Sequence, residues 1–351
     1  MPLLARMIAS PLAIEIRSGA VATLAALLSD RRISPRGDVA AVVGPGQGEE
    51  IASTLGSVLE NAEVHHVHGG TLAAALELAD ALRARSYDAV VGIGGGRTLD
   101  VAKYAAGVTS LPMVAVATNL AHDGIASPVA VLEHDGRKSS YGVHIPLAVV
   151  VDLDYVRRCP RRQLASGVGD AVSNVSALAD WELAGRERGE AVDGLAAALA
   201  RSAAESLLYR SDDIARDAFL TALAEALVLS GLAMAVAGSS RPCSGACHEI
   251  SHAIDALYPG RAAHGEQVAV GALFASFLRT DPILAALAAC LRRYGVPRLP
   301  DELGLDRDEF ATAVAHAPST RPDRYTILEH LGLAEAEIRT RVDAFVETVD
   351  R

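Results

Sequence analysis

The sequence predicts an α/β domain with a parallel sheet over residues 1–157, followed by an all-α domain over residues 158–351. Three observations carry this. In the first half, short apolar runs ending in Gly or Thr turns alternate with stretches of helical period. From Cys159 onward the strand pattern stops and long alanine-rich helical segments take over. Half of the 351 residues are hydrophobic and only 21% are charged, with a mean hydropathy of +0.25, which excludes global disorder and leaves ample apolar surface for a core.

Taken in order, DVAAVVGPG (38–46), AEVHHVHGG (62–70), YDAVVGIGGG (87–96) and LPMVAVAT (111–118) read as buried strands. GEEIASTLGSVLE and TLAAALELADALRAR, lying between them, read as helices. Strand and helix in alternation imply a parallel sheet covered on both faces. The second half reads as helices over 162–185, 190–209, 213–236, 244–257, 265–278 and 281–294. No repeat, low-complexity tract or long linker interrupts the chain, and a cleft between the two domains is the expected place for a ligand.

The net charge of -11 and pI near 5.5 argue against nucleic acid or an anionic membrane as the main partner, while leaving room for a local basic phosphate pocket. Near the start, Arg6, Glu15 and Arg17 break up the apolar residues before a signal-peptide pattern develops. No run of about 18 uninterrupted apolar residues follows, so a cytoplasmic enzyme is expected. Cys159, Cys243, Cys247 and Cys290 lack zinc-ribbon or disulfide-scaffold spacing and read as reduced thiols. Cys243 and Cys247 lie near a histidine pair, but small apolar packing is the preferred reading over metal ligation.

Several stretches bear on chemistry. In GIGGGRTLDVAKYAAG (92–107) a strand runs into Gly94, Gly95 and Gly96 and a helix opens near Thr98, so backbone N–H groups can cradle a pyrophosphate; a plain tight turn explains the glycines equally well. ATNLAHDGIASP (117–128) follows the next strand, where α/β proteins bind ligands, and makes His122 and Asp123 substrate-facing candidates; a simple Asp-Gly turn is the alternative. SGVGDAVSNVSALADWELA (166–184) sets Asp170, Ser173 and Asn174 on adjacent helical turns. Asp170 then either needs a buried partner such as a metal or sits at a solvated helix start.

Residues 248–252, HEISH, match the H-E-x-x-H of zinc proteases. Chance supplies about 0.02 such matches in a chain of this composition, so the match is informative. The spacing itself says only that His248 and His252 share a helix face. Asp170, His248 and His264, one per helical segment, offer an alternative set of three N/O ligands with a position open for substrate. Ser239, Ser240 and Arg241 in GSSR are candidate phosphate donors ahead of that helix, and Arg97 is a candidate cofactor contact.

GGGRTLDVAK, HDGIASP, GDAVSN with DWELA, GSSRPCSGACHEISHAID, HGEQVAVG and TRPDRYTILEHL, in this order, resemble the sn-glycerol-1-phosphate dehydrogenases across nearly the whole chain. Those lie within the superfamily of dehydroquinate synthases and iron-type, metal-dependent alcohol and glycerol dehydrogenases. The resemblance implies an N-terminal dinucleotide-binding domain and a helical domain holding a divalent metal on Asp170, His248 and His264. It places Gly94, Gly95 and Gly96 at the pyrophosphate of NAD(H) or NADP(H), with Asp100 and Lys103 on the helix that follows and Thr118 at the cofactor. Asp123 and Asn174 then face the substrate, His252 or Asp123 relays the proton, and Glu249 need not be a general base. The implied reaction is reduction of dihydroxyacetone phosphate to sn-glycerol 1-phosphate, with zinc ahead of nickel or iron, in a homo-oligomer.

The chain departs from the family at Ala117 to Ala121 and at Ala246 and Cys247. A reductase of another phosphorylated or phosphonate carbonyl, a dehydroquinate synthase-like cyclase and, on HEISH alone, a protease are the competing readings.

Overall fold

Runs of Val and Ala without a polar break can only be central strands, since both faces must be buried. In the computed structural model, which describes residues 9–350, this holds for β2 (Val39–Val43), β4 (Ala89–Gly94), β5 (Met113–Ala117) and β8 (Ala148–Asp152), each buried throughout. The half-exposed β1 (Ala13–Arg17) and β3 (Glu63–His66) form the edges of a six-stranded parallel sheet, order β1-β8-β5-β4-β2-β3. From β2 the chain crosses to β3 on one side and returns to β4 on the other. The strand order thus reverses between β2 and β4, where open α/β sheets bind ligands beyond their carboxyl ends.

The sequence reading missed β1, β8 and an antiparallel hairpin of β6 (Val129–His134) and β7 (Arg137–Gly142). Asp135 and Gly136 turn that hairpin, both at positive φ, as a two-residue type I′ loop requires. His-Asp-Gly therefore occurs twice: at 134–136 it only turns a hairpin, whereas at 122–124 it leads into a short 3-10 helix, Asp123–Ile125. The stretch around Arg6 lies outside the described residues.

Helices α1 (Leu24–Ser29), α2 (Gln47–Leu55), α3 (Leu72–Arg83), α4 (Gly96–Val108) and α5 (Leu153–Val156) accompany the sheet. The rest of the chain is α6 (Arg161–Val172), α7 (Asn174–Arg188), α8 (Gly194–Leu208), α9 (Asp217–Ala237), α10 (Ala246–Leu257), α11 (His264–Leu278), α12 (Leu284–Tyr294), α13 (Arg307–Thr320), α14 (Ile327–Leu331) and α15 (Glu335–Val349). The single helix expected over 162–185 breaks at Ser173, whose hydroxyl donates to the Asp170 carbonyl at 2.7 Å.

The chain divides into two compact units. The first comprises residues up to Asn119, with Gly124–Arg158 and Met234–Ser239; the second comprises Leu120–Asp123, Cys159–Ala233 and Ser240–Arg351. A single cut after residue 157 misses two exchanged pieces, 120–123 and 234–239. Among the described residues α9 alone is long and apolar enough to cross a membrane, and 67% of its apolar window is buried inside the protein, as in a core helix.

Candidate functional site

Three consecutive glycines end β4 and open α4, and space rather than chirality explains the first two. None has positive φ. A Cβ on Gly94 would meet the Thr98 side chain at 2.8 Å, and one on Gly95 would meet the Asn119 amide at 2.5 Å. Across the reversal point, a Cβ on Gly44 would lie 2.2 Å from Thr98 Oγ1, and one on Gly48 would lie 2.7 Å from the Ile93 carbonyl. Gly95 caps α4 without a side chain, so the first N–H groups of the helix are left for a ligand. Thr118 is buried and its N–H donates to the Gly94 carbonyl at 3.0 Å; Arg97 is exposed.

Asp100, a candidate cofactor contact, has a protein partner. It is buried, and its carboxylate lies 3.0 Å from the Lys103 ammonium. Lys103, equally buried, donates to the carbonyls of Gly124 at 2.8 Å, Ser127 at 3.4 Å and Val129. Through Lys103 the pair ties α4 to the segment after HDG.

In the second unit, helices α6 and α11 touch backbone to backbone. A Cβ on Gly169 would come within 2.3 Å of the Gly265 carbonyl, and one on Gly265 within 1.9 Å of the Ser166 carbonyl. Each glycine neighbours a candidate ligand, so this contact brings Asp170 to His264. His248 joins them from α10. One ligand atom from each of the three lies within 4.8 Å of the others, and Asp170 Oδ1 is 3.8 Å from His248 Nε2 and 3.7 Å from His264 Nε2. Bonds of about 2.0–2.1 Å at a tetrahedral angle would set such atoms roughly 3.3–3.4 Å apart, so each of the two Asp170–histidine distances would shorten by about 0.4 Å around a metal.

The protonation pattern suits a cation. Burial raises the Asp170 carboxyl to about 6, and its Oδ2 accepts the Asp123 N–H at 2.8 Å. Burial, with His264 and His252 close by, holds the His248 imidazole well below its usual range, hence neutral. Gln267 donates through its amide nitrogen to Asp255 and the Ala262 carbonyl, which turns its oxygen toward Ser251. Ser251 donates to that oxygen at 2.7 Å and so accepts from His264 Nδ1 at 3.2 Å, which leaves Nε2 as the unprotonated ring nitrogen. The thiol of Cys247 lies 3.4 Å from His248 Nδ1; neither Cys243 nor Cys247 joins the three-residue group, and both thiols are pushed up by burial.

His252, one turn further on α10, stands apart from the ligand group. Arg321 lies 3.1 Å from its Nε2 and can only donate, so Nε2 is an acceptor and the ring proton sits on Nδ1. Burial and the Arg321 charge hold this imidazole down to about 3. Glu249 points elsewhere. It is fully buried, accepts from the Thr326 hydroxyl at 3.0 Å and is raised to about 8 by burial and the nearby Glu329 charge. A protease base must reach the metal as a carboxylate; this one faces Thr326 as a neutral acid.

Of the proposed phosphate donors, Arg241 already has protein partners. It is buried and forks onto Glu190, through Nε at 2.6 Å and a second, shorter contact, and also donates to the Tyr325 carbonyl at 3.1 Å. Its charge is neutralised by a residue 51 positions upstream. Ser239 is exposed, and Ser240 accepts from Arg324 at 3.1 Å. Asn174 donates to Ser230 at 2.9 Å and to the Ala200 carbonyl at 3.4 Å, and so bridges helices rather than facing a substrate.

Sequence reasoning passed over Asp180, Arg321 and Arg324. Asp180 is fully buried, pairs with Arg279 at 2.6 Å, and accepts the N–H groups of Ala246 at 2.8 Å and Ile327 at 3.0 Å, fixing the starts of α10 and α14. Arg324 donates to the Ser244 carbonyl, and burial together with Arg321 and Arg241 pulls it down to about 10. All three residues stand inside DWELA and TRPDRYTILEHL, which signalled a family before they signalled a role.

Comparison with known proteins finds relatives along most of the chain. A sequence model described as iron-containing alcohol dehydrogenase matches residues 15–160. The chain is 42% identical over 293 residues to glycerol-1-phosphate dehydrogenase [NAD(P)+] of Thermofilum pendens, covering 81% of this chain and 84% of that protein. It is 36% identical over 319 residues to the enzyme of the same description from Methanosarcina mazei, covering 89% of each. Among solved structures, a probable glycerol dehydrogenase from Sinorhizobium meliloti 1021 superposes with a TM-score of 0.79 at 24% identity, covering 99% of both chains. Glycerol dehydrogenase from Schizosaccharomyces pombe gives 0.77 at 24%, covering 99% of this chain and 91% of that one. At that identity the two structures speak for the fold.

Proposed function

Since this chain belongs to the glycerol-1-phosphate dehydrogenase family, we propose that it reduces dihydroxyacetone phosphate to sn-glycerol 1-phosphate, reversibly, with NAD(P)H and a divalent metal. The observation that carries the reading is the convergence of Asp170, His248 and His264 in a chain with that ancestry. Two imidazoles and a carboxylate suit zinc first, and nickel or iron accept the same donors.

When bound, the metal supplies Lewis-acid polarisation of the ketone oxygen and NAD(P)H supplies the hydride. The remaining tasks fall to the chain. Gly94, Gly95 and Gly96 hold the pyrophosphate at the open start of α4, with Thr118 and Arg97 beside it. Ser251 and Gln267 keep His264 in the tautomer that presents Nε2. Reduction takes up one proton besides the hydride; water supplies it through Asp123, while His252, whose Nε2 is held by Arg321, orients that water through Nδ1–H, and a proton passes through the ring itself only when Nε2 leaves Arg321 to take one up. A homo-oligomer accords with the open edge at β1, where Leu12 and Ile14 are exposed.

Metal content tests the ligand set. Asp170→Ala is expected to lose the metal and His252→Ala to keep it. The reverse result would restore the HEISH protease geometry and remove this assignment.

A further inference from the structure

The turn between α13 and α14, Thr320-Arg321-Pro322-Asp323-Arg324, carries two cations that the reaction above does not yet use. Among the described residues, neither Arg321 nor Arg324 has a carboxylate within ion-pair distance, whereas the third arginine of the cluster, Arg241, is matched by Glu190. Arg324 is braced from behind by the Ser244 carbonyl and Ser240 hydroxyl. Arg321 is half-buried and held against His252, four residues from His248 on one face of α10. Four residues at 1.5 Å rise span about 6 Å, which a three-carbon chain with a terminal phosphate can bridge. Like charges are brought together next to a ligand site with Glu190, Glu249 and Asp323 nearby but none of them in ion-pair contact with Arg321 or Arg324, and this is an arrangement a phosphate dianion would complete.

We propose that Arg321, backed by Arg324, forms the subsite for a phosphate monoester, and that the Arg-Pro-Asp-Arg turn makes the enzyme select a phosphorylated ketone over its unphosphorylated counterpart. The assignment to the substrate's phosphate rests on the proposed reaction; the phosphate site itself does not. It replaces Arg241, which the fold has already neutralised.

The test uses the full-length, zinc-loaded protein. Binding of inorganic phosphate is followed by calorimetry, and kcat/KM is compared for dihydroxyacetone phosphate and dihydroxyacetone with both NADH and NADPH. One charge-assisted fork lost from a phosphate corresponds to roughly a 10- to 100-fold effect. Arg321→Met is expected to lower phosphate affinity, and the phosphorylated-to-unphosphorylated preference, by that factor with zinc content intact. Arg321→Lys, which keeps the charge without the fork, should recover part of both.

Phosphate affinity unchanged within about twofold in Arg321→Met would overturn the subsite, as would an equal loss with both ketones or a change confined to the NADPH-to-NADH ratio. Arg324→Met with retained zinc gives an independent second reading, expected to weaken phosphate binding in the same direction. A wild-type protein that binds phosphate through Arg321 but reduces no phosphorylated ketone would keep the subsite and overturn the proposed reaction.

Discussion

Replacing Ser251 by Ala removes a single oxygen atom, and the structure says what that oxygen does. It donates to Gln267 Oε1 at 2.7 Å and accepts from His264 Nδ1 at 3.2 Å, at a position with no solvent exposure. In the variant, Gln267 cannot turn to compensate, because its nitrogen is committed to Asp255 and Ala262. The His264 Nδ1–H then loses its acceptor, and the ring loses both its orientation and the bias that leaves Nε2 unprotonated. Substitutions of this kind lower metal affinity about 10- to 100-fold, or roughly 1.4–2.8 kcal/mol. Zinc affinity of the apoprotein, measured by competition with a chelator, reads this directly. A folded Ser251→Ala protein that binds zinc as tightly as wild type, within about twofold, would refute the tautomer argument.

The contact between α6 and α11 admits no side chain, so Gly265→Ala, whose Cβ would sit 1.9 Å from the Ser166 carbonyl, should lose metal binding and lower the thermal midpoint; a variant that melts and binds zinc like wild type would contradict the packing described. Glu249→Gln should retain zinc and most reductase activity, because the acid it replaces is buried against Thr326; complete loss of activity with zinc in place would return Glu249 to the chemistry. His252 gives a pH dependence of known sign. Its folded pKa, near 3, lies below the unfolded value near 6.5, so its contribution to stability is full above about pH 6.5 and is lost as the pH falls toward 3. In that window its protonation tilts stability by up to about 1.4 kcal/mol per pH unit. His252→Gln should take up about one proton fewer on unfolding near pH 5, and equal uptake would show that the imidazole is not held neutral.

The α/β-then-helical order was legible because buried parallel strands and amphipathic helices differ in period and in length. β8 escaped because its apolar run, Ala148–Asp152, follows a hairpin rather than the helix that the alternation called for. The break at Ser173 depends on one side-chain hydrogen bond, which periodicity does not register. Asp170, His248 and His264 could be offered as a ligand set from their chemistry but chosen over the HEISH pair only through their family motifs, since residues 78 and 94 positions apart have no local spacing rule. What the letters did carry, unread, was a glycine beside two of the three ligands, the mark of the close helix contact that assembles them. The pairing of Arg241 with Glu190 was not legible, because the two lie 51 positions apart in the chain.

The proposed reaction is tested most directly by one assay: metal-loaded protein, dihydroxyacetone phosphate and NADH or NADPH, followed by nicotinamide absorbance with the stereochemistry of the product determined. It predicts one NAD(P)H oxidised for each sn-glycerol 1-phosphate formed, with turnover abolished in Asp170→Ala. No net nicotinamide oxidation under zinc, nickel or iron loading, or accumulation of the opposite glycerol phosphate enantiomer, would contradict it.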